Sequence, residues 1–426
     1  MSVPIPTTDL AVEDIELGDI LQWMRPDREG IFAKLRAEAP IKFFAEPVPP
    51  PDVPIPQGPG FWALTRYADV FQVSRDPDTF HSAPTSTVGD MPPEIAEWLG
   101  SMINMDAPKH TKLRLIVNRG FTPRRVAQIE ESVRQQASDI VDQVTKLGGE
   151  CDLVSEIAAA LPLQIICDML GIPRADNGRI FELTNIILGV GDPEYVQSLE
   201  ELMGAGMELF QYGISVAEAR LDNPQDDIAT TLMQAEVEDE NGKHRLTASE
   251  LGSFFLLLVV AGNETTRTAI SHGMYELTNR PDQRALWAAD LEGVSPTAIE
   301  EIVRWSTPVI NFRRTAVADA VVGGQEIKAG DKVVMFYNSA NRDERVFDDP
   351  FRFDLTRTPN EHTGFGAGGP HFCLGANLAR REIRIMFEEL FRRMPDIEVS
   401  GEPDYLQSGF IHGIKRMPCK WHTVLD

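Results

Sequence analysis

The chain has 426 residues, 42% of them apolar, enough for a sizeable core; 65 acidic side chains face 40 basic ones, a formal charge of -25. That charge argues against nucleic acid or an anionic membrane surface as the main partner. Four scattered cysteines (Cys151, Cys167, Cys373 and Cys419) without a CxxC pair exclude a disulfide framework and fit a reducing compartment.

The first residues, MSVPIPTTDLAVEDIELGDI, have neither the basic nor the apolar stretch of a secretion signal. PVPPPDVPIPQGP, at 47 to 59, favours an extended surface loop, and GFWALTRYADV after it reads as a strand turning into a helix. From 122, TPRRVAQIEESVRQQASDIVDQVTKL repeats Val126, Ile129, Val133, Ile140 and Val144 at helical intervals, with Thr122 and Pro123 as start signals. TASELGSFFLLLVVAGNETTRTAISHGMYELTNRP opens on a capping box, Thr247 with Glu250, and runs to Pro281 as one long helix. Its middle is apolar nearly all round, so it must cross the protein's centre. The greasiest run, Phe254 to Ala261, is far short of the roughly 20 residues of a membrane span, and a soluble, cytoplasmic protein is expected. Short strands are expected around Ala320 to Phe336, where GG and AGD mark turns, and near the C-terminus. The expected fold class is mainly α with a minor β-sheet region.

GFGAGGPHFCLGANLARREI, at 364 to 383, surrounds one cysteine with glycines and then stiffens into a helix. Glycines 364, 366, 368 and 369 permit close backbone approach. A helix starting just after Cys373 would aim free N–H groups and its positive end at the sulfur, conditions that favour a thiolate. Such a thiolate suits a flat, metal-bearing group such as haem. A buried structural cysteine is the plain alternative; zinc is disfavoured, because His371 is the sole nearby second ligand. In the long helix, Ala261-Gly262-Asn263-Glu264-Thr265-Thr266 puts poor helix formers in an apolar middle. By itself it could be a kink with a solvated glutamate.

Phe365, Gly369, His371, Cys373 and Gly375, followed by ANLARREI, resemble the haem-binding loop of the cytochrome P-450 enzymes, with one extra residue between the phenylalanine and the next glycine. The extra residue resembles a bacterial subgroup acting on sterol side chains and methyl-branched lipids. The resemblance runs from about Asp14 to the FIHGIKRMPCKW segment and implies a single domain over residues 1–426, the P-450 fold with its long central helix over haem b, and monooxygenase chemistry. It makes Cys373 the iron ligand. Gly262 would make room for dioxygen, Thr265 would hydrogen-bond oxygen or a water, and Glu264 would help relay protons. His110, Arg114, Arg314 and His371 match the haem propionate contacts, with Arg313 the nearest rival to Arg314. Glu301 and Arg304 have the ExxR form, and Arg352 matches its third member; alone, an i,i+3 ion pair would mean little.

No flavin or dinucleotide fingerprint occurs, so electrons must come from outside. Arg380, Arg381 and Arg384 form a basic patch behind the cysteine that could dock an acidic partner, or could simply be solvated. The resemblance implies a ferredoxin fed by a reductase using NADH or NADPH. LPLQIICDMLGIP, IEEIVRW and HFCLGANLARREIR look like the mycobacterial methyl-branched lipid ω-hydroxylases, with cholest-4-en-3-one 26-hydroxylases as near relatives. Terminal attack needs a narrow channel; Ile103, Leu188, Val190, Val259, Val309, Phe312, Phe410 and Ile411 are the expected walls, ordinary core being the alternative for each. A haem sensor or carrier, or a peroxide-driven peroxygenase, remains as a reading from another class.

Overall fold

The computed structural model describes residues 2–49, 57–91, 95, 101–118, 120–121, 127, 129–239 and 242–425. The helices that frame the site are α1 (Arg28–Glu38), α2 (Lys109–Asn118), α3 (Glu130–Val144), α4 (Ala160–Leu170), α5 (Asn177–Leu188), α6 (Leu199–Asp222), α7 (Ala248–Asn279), α8 (Leu291–Ser306) and α9 (Ala376–Arg393). The largest sheet contains β1 (Ile41–Phe44), β2 (Phe61–Leu64), β3 (Phe80–His81), β4 (Asn311–Ala316) and β5 (Lys332–Phe336), in the order β1-β2-β5-β4-β3. Mainly helical with small sheets, the architecture is as expected.

α7 is the axis of the molecule. Thr247 accepts from the Glu250 N–H while the Glu250 carboxylate accepts from the Thr247 N–H, so the capping box fixes the helix start. Its apolar middle is enclosed by α4, α6, α8 and α9. Close crossing needs small residues: a Cβ on Gly262 would lie 3.0 Å from Ile166 of α4, and one on Gly273 would lie 2.9 Å from Phe387 of α9. Gly262 therefore serves helix packing at the same place where the sequence suggested room for dioxygen.

β5 runs parallel to β2 and antiparallel to β4, pairing Met335 with Phe312 and Val333 with Arg314. Strand alternation puts Phe312 and Arg314 on one face and Arg313 on the other. The hairpin Ala320–Val322 with Gln325–Ile327 turns at Gly323 and Gly324, both at positive φ. The helix read from residue 122 is seen as α3, whose Val133, Ile140 and Val144 face inward. Its expected start at Thr122 and Pro123, with Val126, lies outside the described residues, as does 50–56 of the proline-rich loop. Among the described residues, no helix is long and apolar enough to cross a membrane.

Candidate active site

The cysteine loop is closed by its own backbone. The Cys373 N–H donates to the Phe365 carbonyl at 2.9 Å, and Gly366 N–H to the Thr363 carbonyl at 2.8 Å. Gly366, Gly368 and Gly369 take φ of 93°, 82° and 81°, a region that costs a side-chain-bearing residue. At Gly369 there is no space either: a Cβ would sit 2.2 Å from the Ser74 carbonyl oxygen. The Phe365 ring borders the cavity, and the Arg380 guanidinium lies 4.3 Å from its centroid.

The Gly375 and Ala376 N–H groups and the guanidiniums of Arg114 and Arg380 pull the Cys373 pKa down, but burial outweighs them and holds the thiol above its ordinary value. The helix terminus thus favours the thiolate, as expected, and iron on the cavity side would favour it further.

Above the sulfur lies a largely apolar cavity. α7 roofs it with Leu257, Leu258, Ala261, Gly262, Thr265, Thr266 and Ala269; Met102, Ile103, Ile166, Val309 and Phe312 complete an apolar wall. Thr265 reaches the cavity, and its hydroxyl donates to the Ala261 carbonyl at 2.8 Å. Glu264 does not border the cavity. Its buried carboxylate is ion-paired to Arg267, with Thr268 donating at 3.4 Å. Consecutive helical positions lie about 100° apart, which is why acid and alcohol diverge. Arg267 also donates to Asn185 of α5 at 2.8 Å, and Asn263 to Thr184 at 3.4 Å, so the polar cluster ties α7 to α5.

His110, Arg114, Arg314 and His371 meet at the cavity's edge. The two imidazoles stack with centroids 4.1 Å apart, and Ser82 Oγ lies 3.0 Å from His371 Nε2. Burial, then Arg314, His110 and Arg114, push the His371 pKa down to about 2; burial and Arg114 lower that of His110. Arg114 donates to Asn118 and the Phe372 carbonyl, Arg314 to the Arg313 carbonyl, and His110 Nε2 is buried without a partner. Two guanidiniums crowded against two imidazoles with spare hydrogen-bonding capacity fit an anion at this edge. Arg313 turns away to Asp90 at 2.7 Å, as strand alternation requires. The room above Cys373, the sulfur itself and this cationic edge together fit a haem with two propionates.

Several sequence expectations are corrected. Leu188, Val190, Val259, Phe410 and Ile411 do not border the cavity, whereas Ile103, Val309 and Phe312 do. Val259 is fully buried between helices, Val190 is half exposed beyond the end of α5, and Leu188 is that helix's last residue. Ile411 bridges to Val309 from behind, and Phe410 packs edge-on against Phe312. Glu301 and Arg304 form a fully buried bidentate pair at 2.7 and 2.8 Å, but the third member is Arg357, whose Nε lies 3.1 Å from Glu301. Arg352 is half exposed; its side chain approaches Asp354 at 3.8 Å, and its carbonyl accepts from Arg304 and Arg357. Nor is the arginine patch bare: Arg380 forks onto Glu300 at 2.6 and 2.8 Å, while Arg381 and Arg384 both pair with Glu130 of α3.

Sequence reading missed Glu382. It is buried in α9, borders the cavity and is hydrogen-bonded to Thr266; burial pushes its pKa up to about 8. An acid among Leu378, Ile383, Ile385 and Met386, on the buried face of an amphipathic helix, was the available signal.

The cytochrome P450 family model matches residues 94–286 and 295–400, and the chain belongs to that family of haem-iron enzymes. It is an oxidoreductase of the monooxygenase type. Over 423 residues, 98% of this chain and 96% of the relative, it is 51% identical to a methyl-branched lipid omega-hydroxylase of Mycobacterium tuberculosis. A steroid C26-monooxygenase of the same species is 42% identical over 390 residues, 90% of this chain and 87% of the relative. Among solved structures, a Mycobacterium marinum cytochrome P450 in complex with pseudoionone superimposes with a TM-score of 0.90 at 43% identity, covering 99% of this chain and 100% of that one.

Proposed function

We propose that this P450 hydroxylates the terminal methyl group of methyl-branched lipids, branched fatty acids or isoprenoids, in the cytoplasm, using O2 and electrons that a ferredoxin and its NADH- or NADPH-dependent reductase supply. The 51% identity along 98% of the chain to a methyl-branched lipid omega-hydroxylase carries this reading; the apolar wall of Ile103, Val309 and Phe312 is consistent with it. Haem, when bound, supplies the oxygen activation. Cys373 would be its axial ligand, and His110, Arg114, Arg314 and His371 would hold its propionates.

The chain's own residues do the rest. The apolar roof and wall exclude water and leave the chain end of a lipid as the part that reaches the reacting position. The Thr265 hydroxyl, lent to Ala261 in the resting protein, would turn to donate a hydrogen bond into the cavity, to oxygen or a water. Glu264 can pass a proton only after leaving Arg267, so the α7–α5 contact is part of proton supply. Arg380, Arg381 and Arg384 would meet an acidic partner by exchanging Glu300 and Glu130 for its carboxylates.

Titration of the haem protein followed by Soret absorbance tests the substrate class. An iso-branched fatty acid or a farnesyl compound should shift the iron from low to high spin, with little response to cholestenone. A shift mainly with cholestenone would overturn the branched-lipid assignment in favour of sterol side-chain oxidation, for which the 42% identical steroid C26-monooxygenases are the precedent.

A further inference from the structure

The wall residues Pro308, Val309 and Phe312 are held by a segment that does not itself reach the cavity. The Ile310 N–H donates to the Phe410 carbonyl at 2.8 Å, the His412 N–H to Pro308 at 3.0 Å, and Asn311 Nδ2 to Gly409 at 2.8 Å. Val309 bridges to Ile411, and the Phe410 ring meets Phe312 at 5.5 Å. Where residues 408–412 stand, the wall stands.

That segment has its own anchor. His412 Nδ1 lies 2.6 Å from the Ser306 carbonyl and must donate to it, which leaves Nε2 as an acceptor. Arg28 Nη2 donates to it at 2.9 Å. His272 of α7 donates from Nε2 to the His412 carbonyl at 2.9 Å, the two rings being 4.2 Å apart. Arg28 stands 384 positions earlier in the chain, at the start of α1, and also donates to the Trp23 carbonyl. Its approach to Glu29 is long, 3.8 Å. Trp23 backs the same segment: a Cβ on Gly409 would lie 3.1 Å from its indole nitrogen. Burial keeps both imidazoles neutral, with His272 down at about 4, so the acceptor that Arg28 needs is present at physiological pH.

We propose that the Arg28–His412–His272 clamp determines regiospecificity: through residues 408–412 it sets how far Val309 and Phe312 project over Cys373, and so which carbon of a chain-like substrate reaches the reacting position. This rests on the terminal-hydroxylase reading. A terminal methyl has a stronger C–H bond than the carbon beside it, so terminal attack survives only while the wall denies the neighbour access. A displacement of about 1 Å at such a wall can change a rate by about 100-fold.

The test uses full-length holoenzyme with ferredoxin, reductase and an iso-branched fatty acid. Arg28→Met and His412→Asn each break the Arg28–His412 bond; the second keeps a donor toward Ser306. Both should lower the terminal-to-subterminal product ratio by about tenfold while the reduced carbon monoxide spectrum is unchanged. Amide hydrogen exchange at 408–412 should quicken, and Arg28→Lys, which retains one donor, should restore part of the ratio. An unaltered ratio and unaltered exchange in both variants would overturn the clamp, as would loss of stability alone. If the unmutated enzyme forms no terminal alcohol, the functional reading fails instead; exchange at 408–412 and the distribution over whichever carbons react still decide for or against the clamp.

Discussion

Beneath the cavity, the sulfur is presented by one continuous run, residues 363–376, tied to itself by backbone bonds from Gly366 and Cys373. Above it, the facing surface is assembled from α7, α4, β4, the stretch around Met102 and the turn at Pro308 and Val309. The seat is local and the roof is not. That difference explains which residues could be read in advance. Cys373, Phe365 and His371 stand in one string whose glycine pattern states its geometry. Thr265, Ile103, Val309 and Phe312 are on the cavity as the resemblance implied, but five of eight expected wall residues are not. A segment can be correctly placed near a pocket while the face it turns there depends on neighbours from elsewhere in the chain.

The sharpest way to break this comparison is at the seat. Cys373→Ser should abolish the thiolate signature of the reduced carbon monoxide spectrum; an unchanged spectrum would mean that another group ligates iron. Next in size is the buttress. Arg357→Ala leaves the buried Glu301 short of a cation and should cost about 3 kcal/mol in a denaturant titration, whereas Arg352→Ala should stay within about 0.5 kcal/mol. The reverse order would restore Arg352 as the third member. On the roof, Thr265→Ala should leave fold and haem content intact while NADPH consumption runs several-fold ahead of product, as expected for a positioned hydrogen-bond donor. Full coupling would show the hydroxyl to be dispensable.

A separate prediction concerns pH. The pKa of Glu382 is raised on folding, from 4.5 to about 8, so the folded protein holds a proton that the unfolded chain has given up in between. Its contribution to stability is complete below about 4.5 and is lost as pH rises through about 8. Glu382→Gln should flatten the fall of Tm over that interval; a parallel curve would mean that the carboxyl is already ionised.

The fold class was legible because helical periodicity and capping are written locally: α7 begins at its capping box, within a residue of the expected position. What could not be read depended on partners. Arg352 and Arg357 are close to each other in sequence and far from Glu301, which is 56 positions from Arg357, and a turn at 354–357 decides which of them delivers a side chain and which a carbonyl. Arg380, Arg381 and Arg384 read as a bare patch because their counter-charges are distant in sequence, Glu300 80 positions from Arg380 and Glu130 251 from Arg381. Glu264 and Thr265, adjacent in sequence, point to different neighbourhoods, so a motif written as one pair serves two surfaces.

The glycine clamp also bears on how this loop can change length. Gly369 is pressed against the Ser74 carbonyl, and from there to Cys373 no residue can be added without moving the sulfur. Between Phe365 and Gly369 the backbone turns twice through positive φ, at Gly366 and Gly368, where a Cβ would meet neighbours only at 3.5 to 3.8 Å, while the Gly368 carbonyl accepts from Ser74 Oγ at 2.9 Å. The residue by which this loop exceeds the usual P-450 spacing falls inside that slack interval. A change of loop length is therefore better absorbed on that side of Gly369, where a Cβ meets nothing closer than 3.5 Å, than at Gly369 itself.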